Sequence, residues 1–376
     1  MRYYADAAAT TPLHPEARRV MDEWNQREFG NASSLYAEGR RARAALDEAH
    51  ETLAQHWGCL FGEVLFTGSG TEAANLAILG FALANPTDRR TIVLGAGDHH
   101  CVTHTAGWLG RLGYQVRWAP IDREGRTRLD ALPEILTEDV ALVSVMTANN
   151  ELGTIQPLAE IVAQARAVGA YVHTDAVQAF PTLHGSSWAV DDLAVDMVSI
   201  SAHKFGGPKG IGALYVRGGT PLEPVVVGGG QERDMRAGTE NVALALGMAE
   251  ALRQALADPE RDARRRAARD AFAQALDPKF IPTVPTAPRL DGHHHVRLPG
   301  ADASAFLIRL DREGVCASSG SACSSGSLEP SHVLVAAGYS EAEARQGLRF
   351  SFGPEVTPDQ AQAMATVVNR VAAAFG

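Results

Sequence analysis

The first 250 residues alternate two kinds of segment, and that alternation constrains the fold more than any other feature of the chain. Short β-branched or apolar runs stand at Val64–Thr67, Thr91–Leu94, Leu142–Met146, Tyr171–His173, Met197–Ile200 and Ala213–Val216. Helix-like stretches lie between most of them. Arg40 to Trp57 puts Ala42, Ala45, Leu46, Ala49 and Leu53 on one face at helical spacing. Pro157 to Val168 opens on a proline, which suits a first helical position. Strands alternating with helices imply an α/β fold with a mainly parallel sheet covered on both faces. Ligands of such sheets bind at the carboxyl ends of the strands.

The pattern changes near residue 250. Ala249 to Leu276 is rich in alanine and arginine and reads as helix, interrupted near Asp258–Pro259. Pro282, Pro285 and Pro288 follow, and then short strands mix with helices to Gly376. A chain of 376 residues exceeds what one core usually supports, so two lobes are expected, with a boundary near 254. Acidic residues outnumber basic ones, 44 to 34, which argues against binding nucleic acid through its phosphates. No apolar run reaches the ~18 residues that would span a membrane. Met1 to Thr11 lacks a basic-then-apolar export signal, so a cytoplasmic protein is expected. The four cysteines, Cys59, Cys101, Cys316 and Cys323, then read as reduced thiols.

Several segments could carry chemistry. Thr67-Gly68-Ser69-Gly70-Thr71-Glu72 follows a strand and precedes a helix-like run, and Ser69 and Glu72 have capping-box spacing. It suits a phosphate, or simply a capped helix, but lacks the Lys-Ser/Thr of a P-loop. Lys204 follows a strand and precedes a Gly-rich turn, where partial desolvation could make its amine a nucleophile; on composition alone Lys209 serves equally. Asp175 closes the apolar run Ala170–Val172, placed either to pair with a ring N–H or to cap a helix. Cys323 lies in the small-residue stretch Ala317–Pro330, whereas Cys316 and Cys59 read as core. The histidines near Cys101 only approach zinc spacing, and His293-His294-His295 reads as a solvated loop.

Together these segments resemble the cysteine desulfurases of the NifS/IscS type, within the class-V aminotransferase-like enzymes that use pyridoxal 5'-phosphate (PLP). The resemblance runs from Tyr4-Ala5-Asp6-Ala7-Ala8-Ala9-Thr10-Thr11-Pro12 through Asn149-Asn150-Glu151-Leu152-Gly153, His173–Gln178 and Ser201-Ala202-His203-Lys204. It continues through Arg236–Asn241 and Ser318–Pro330 to Leu348-Arg349-Phe350-Ser351. It implies a large PLP-binding domain over 13–254 and a smaller α+β domain formed by 1–12 with 255–376. Lys204 would bind PLP covalently, Asp175 would pair with the ring nitrogen, and Gln178 would bond the ring's phenolic oxygen. His99 would stack on the ring. Gly70, Thr71, Ser201 and His203 would hold the phosphate, and Thr239 would reach the phosphate of a partner subunit in a homodimer. Asn31, Asn150 and Arg349 would contact the substrate, the guanidinium suiting its carboxylate.

The implied reaction converts L-cysteine to L-alanine, with Cys323 taking the sulfur as a persulfide. That sulfur would pass to an acceptor, such as an iron–sulfur scaffold protein or a route to a thio-cofactor or tRNA. An aminotransferase or selenocysteine lyase of the same class, or a non-catalytic sulfur relay of the same fold, remain alternatives on sequence.

Overall fold

The computed structural model describes residues 2–183, 186–187, 189–320 and 329–374. Its main sheet has the strand order Val64–Thr67, Gly212–Val216, Met197–Ser201, Tyr171–Asp175, Val140–Ser144, Thr91–Gly95, Gln115–Ala119. The pairings from Met197–Ser201 outward to Gln115–Ala119 are parallel. Gly212–Val216 runs antiparallel to both its neighbours. The reason lies in the connection: residues 202–211 form only a short turn, too short for the crossover that a parallel return needs. The interior strands are buried on both faces, which is why they read as continuous apolar runs. Gln115–Ala119 escapes that reading because it is an edge strand open to solvent at Gln115 and Trp118, whereas the opposite edge strand, Val64–Thr67, is buried throughout.

The helix expected from Arg40 spans Ala37–Trp57, buries Ala42, Leu46, Ala49 and Leu53, and ends at Gly58 in the left-handed conformation. Pro157 precedes the helix Leu158–Ala167 rather than opening it. Near Asp258–Pro259 the helical stretch divides into Val242–Leu256 and Arg261–Ala275. The first packs Met248, Ala249 and Leu252 into the core of the large sheet. The second packs Ala268 and Phe272 into a separate core with Ala5, Phe306, Leu348, Phe350 and Val368. No described helix is long and apolar enough to cross a membrane.

His293–His295 corrects a sequence expectation. It is not a solvated loop but the start of His293–Arg297, the central strand of a three-stranded antiparallel sheet with Ile281–Pro282 and Gly347–Ser351. The three side chains are 1%, 4% and 2% exposed. Pairing of all three with Arg349–Ser351, and the Thr283 N–H donating to the His295 carbonyl, holds these residues inside, and a polar-versus-apolar reading cannot see that. Burial pushes the His294 and His295 imidazoles down to about 3, and His293 is held well below its ordinary value.

These histidines fold neutral, while the unfolded chain takes up protons below its pKa of about 6.5. Stability therefore falls as pH drops from about 6.5 towards 3, by up to about 1.4 kcal/mol per pH unit for each group. His294→Leu should flatten the pH dependence of the urea midpoint between pH 7 and 5 by about one proton. An unchanged slope would refute the assignment of that proton to His294.

Candidate active site

The strands Val64–Thr67, Tyr171–Asp175 and Met197–Ser201 point the same way and end at one edge of the sheet, with the antiparallel Gly212–Val216 between the first and the last. Beyond their carboxyl ends lies a cavity of about 330 Å³. Gly70, Thr71, Asp175, Gln178, Ser201, His203 and Lys204 line it from the large sheet's side, with His99 and Asn150. Arg349 and Gly320 enter from the second core's side, and Ala8 and Ala9 from the chain's start.

Lys204 ends the turn Ala202–Lys204, directly after its strand. Its Nζ donates to the carbonyls of Ala8 at 2.6 Å and Ala9 at 3.0 Å. Gln178 Nε2 donates to the same Ala8 carbonyl at 3.0 Å. Lys209, the other candidate, is exposed and lines a different recess.

Asp175 caps a turn rather than a helix: its Oδ1 accepts from the Val177 N–H at 2.9 Å, and no helix follows. Burial pushes its carboxyl up to about 6, opposed by the Val177 N–H, the Cys101 thiol and the Lys204 ammonium. The Cys101 thiol donates to Asp175 Oδ2 at 3.7 Å. His99 accepts from the Cys101 N–H through Nδ1 at 3.2 Å. Burial and the nearby Lys204 push His99 down to about 4, so its imidazole is neutral at pH 7. His203 meets the Thr10 hydroxyl at 3.1 Å through Nδ1 and is lowered to about 4, chiefly by burial.

The phosphate-loop candidate is capped one residue out of step with the expected box. The Ser69 hydroxyl accepts from the Glu72 N–H at 3.1 Å, but Glu72 reaches back to the Gly68 N–H at 2.9 Å and pairs with Arg236 at 2.7 Å. The histidines near Cys101 assemble by stacking: His100 lies 4.4 Å from His104 and 4.2 Å from His332, centroid to centroid. Among the described residues no group of three metal-ligating side chains is arranged to hold an ion.

Arg349 sits in the strand Gly347–Ser351 and is 2% exposed. Its Nη1 donates to the Asn150 carbonyl at 2.7 Å and its Nη2 to Asp6 Oδ1 at 2.8 Å. Arg349 Nε and Asn150 Oδ1 are buried without a hydrogen-bond partner among the described residues.

The class-V aminotransferase model matches residues 3–364. A cysteine desulfurase IscS of Dictyoglomus turgidum is 40% identical over 98% of this chain and 94% of its own. An IscS-like cysteine desulfurase of Mycobacterium tuberculosis is 42% identical over 93% of this chain and 91% of its own. The chain belongs to the cysteine desulfurases of the class-V aminotransferase family. Among solved structures, a NifS-like protein is similar with a TM-score of 0.92 at 30% identity, covering 99% of both chains.

The family's cofactor is PLP, and the cavity fits it. A Cβ on Gly70 would lie 2.9 Å from Val177 Cγ2 and 3.1 Å from Ser201 Cβ, so only a bare backbone passes there. Asp175 is a buried carboxylate whose charge is opposed by burial, and a protonated pyridine nitrogen beside it would stabilise that charge. Thr71, Ser201 and His203 offer donors for the phosphate beside Gly70. The unpartnered Asn150 Oδ1 and Arg349 Nε add polar groups to the same wall.

Two residues named from sequence are not in this cavity. Asn31 is exposed, its Oδ1 accepting from the Ser33 N–H at 2.9 Å. Thr239 is exposed beside Arg236 in a separate recess. Cys323 lies outside the described residues. Cys316 and Cys59, read as core, are both half-buried, and Cys59 packs against the core of the large sheet. Sequence reasoning missed Asp6 and the Ala8 and Ala9 carbonyls as parts of the site. The opening motif was visible, but nothing local says where an N-terminal strand will be carried.

Proposed function

We propose that L-cysteine binds in this cavity with its carboxylate on Arg349, and that Cys323 takes its sulfur as a persulfide. As a PLP-dependent cysteine desulfurase the chain converts L-cysteine to L-alanine. The observation that carries the residue assignment is the convergence of Lys204, Asp175 and a part-satisfied buried guanidinium, Arg349, on one cavity. Bound PLP supplies an electron sink for charge developing at the substrate's Cα. Lys204 Nζ takes the Cα proton, the two alanine carbonyls holding the amine in place. His99, neutral at pH 7, can accept a thiol proton. The Cys323 thiolate forms an S–S bond as the substrate's Cβ–Sγ bond breaks. The bonding electrons stay on the carbon skeleton, which leaves as L-alanine after protonation.

The large domain is taken as 13–254 and the small one as 1–12 with 255–376. The core around Phe272, drawn from Ala5 and residues 268–372, supports that division. The exposure of Thr239, outside its own subunit's cavity, suits a homodimer in which it serves the partner's phosphate. Asn31, also outside the cavity, is taken as a substrate contact reached from such an assembly. The exposed apolar side chains Phe29, Leu35 and Val227 support a covered surface. We assign the enzyme to the cytoplasm, with an acceptor thiol or scaffold protein receiving the persulfide.

Mass spectrometry after incubation with PLP and L-cysteine tests the reading. The peptide containing Cys323 should gain about 32 Da, one sulfur atom. A gain on another cysteine, or none, would refute the nucleophile assignment.

A further inference from the structure

Glu151 is a buried carboxylate that the chemistry above does not use, 1% exposed. Its backbone is fixed by a tight turn, where Asn149 Oδ1 accepts from the N–H groups of Glu151 at 2.9 Å and Leu152 at 2.8 Å. The turn closes at Gly153 with φ +78°, and the strand-like bridge Ala148–Ile155 holds its base. The preceding residue, Asn150, receives Arg349 Nη1 on its carbonyl. Glu151 therefore projects from a rigid part of the cavity wall.

Its side chain touches both described flanks of the segment that contains Cys323. On one flank, the Ser331 hydroxyl donates to Glu151 Oε2 at 2.5 Å and accepts from the Leu334 N–H at 3.1 Å, capping the helix His332–Ala336. On the other, Gly320 packs directly on the glutamate. A Cβ there would lie 2.9 Å from Glu151 Oε2 and 3.0 Å from its Cβ and Cγ. Gly320 also has φ +91°, so glycine is needed twice over. Upstream, Ser318 is locked to Arg349 by paired backbone bonds of 3.1 and 2.6 Å.

The geometry points to Glu151 as a positioning residue for sulfur transfer: it ties Gly320 and Ser331, the described residues on either side of the segment that holds Cys323, to the turn that carries Asn150. This rests on the reading of Cys323 as the sulfur acceptor. One side chain spanning both flanks gives the segment a fixed base tied to the same turn that carries Asn150. Misplacing a reacting group by about 1 Å can slow a reaction about a hundredfold, so loss of this base should act on sulfur transfer and spare substrate binding.

The test uses the PLP-loaded enzyme with two readouts. One is the change in the cofactor's absorption when L-cysteine binds, and the other is the single-turnover rate at which sulfur appears on Cys323. Glu151→Ala should leave the binding constant within about twofold and slow sulfur transfer about a hundredfold. Glu151→Gln keeps the shape and an acceptor for Ser331, and should recover at least about a third of the wild-type rate. Ser331→Ala, which leaves Glu151 in place, should slow transfer about tenfold and keep binding. Equal loss in Glu151→Gln and Glu151→Ala would mean a proton-transfer role and overturn the proposal. So would wild-type transfer in both Glu151→Ala and Ser331→Ala, or a loss confined to binding. A wild-type enzyme that gains no sulfur on Cys323 would instead sink the underlying nucleophile assignment.

Discussion

Cys323→Ala should bind PLP and L-cysteine as the wild type does and yet lose sulfide and persulfide production by at least about a thousandfold. The cavity explains why the two properties separate. Lys204, Asp175, Gln178 and Arg349 belong to strands or the turns directly after them. Lys204, Gln178 and Arg349 are held by hydrogen bonds of 2.6 to 3.0 Å to Ala8, Ala9, Asn150 and Asp6. Loss of the thiol therefore removes the acceptor and leaves the groups that hold cofactor and substrate. Absorbance titration with L-cysteine and methylene-blue assay of sulfide, run on the same preparation, read the two properties apart. Sulfide release that continued at the wild-type rate would remove Cys323 from the mechanism.

Lys204→Ala should fail earlier. Without the amine, the yellow absorption of covalently held cofactor should be absent at any PLP concentration, and turnover should drop by about a thousandfold or more. The change also strips a donor from the Ala8 and Ala9 carbonyls, although Gln178 still donates to Ala8. The fold should persist, with cooperative thermal unfolding as the check. Lys209→Ala is the control, since that side chain is exposed and outside the cavity. Survival of the yellow band in Lys204→Ala and its loss in Lys209→Ala would reverse the assignment.

The interior strands were legible because burial on both faces writes itself as unbroken apolar runs, and their observed bounds differ from the expected ones by a residue or two. The edge strand Gln115–Ala119 carries no such mark. Motifs such as Ser201–Lys204 stood out because each follows a recognisable strand. His293–His295 misled because imidazole is polar in composition yet can be enclosed when its strand pairs within a buried sheet. Glu151 was inside a quoted motif, but its significance depends on Gly320 and Ser331, about 170 and 180 residues away. Distances of that kind are set by topology, and no local pattern encodes them.

The opening segment has a consequence for the order in which the enzyme is made. Tyr3–Tyr4 pairs with Val315–Cys316, and Asp6 bridges to Ser351 and bonds Arg349. Those contacts set the position of Ala8 and Ala9, which hold Lys204, and of Thr10, which meets His203. Residues 3–10 thus find their seats only after residue 351 has followed them from the ribosome. The large sheet can form during synthesis, but the cofactor pocket cannot, and loading with PLP becomes a late event in the life of each new chain.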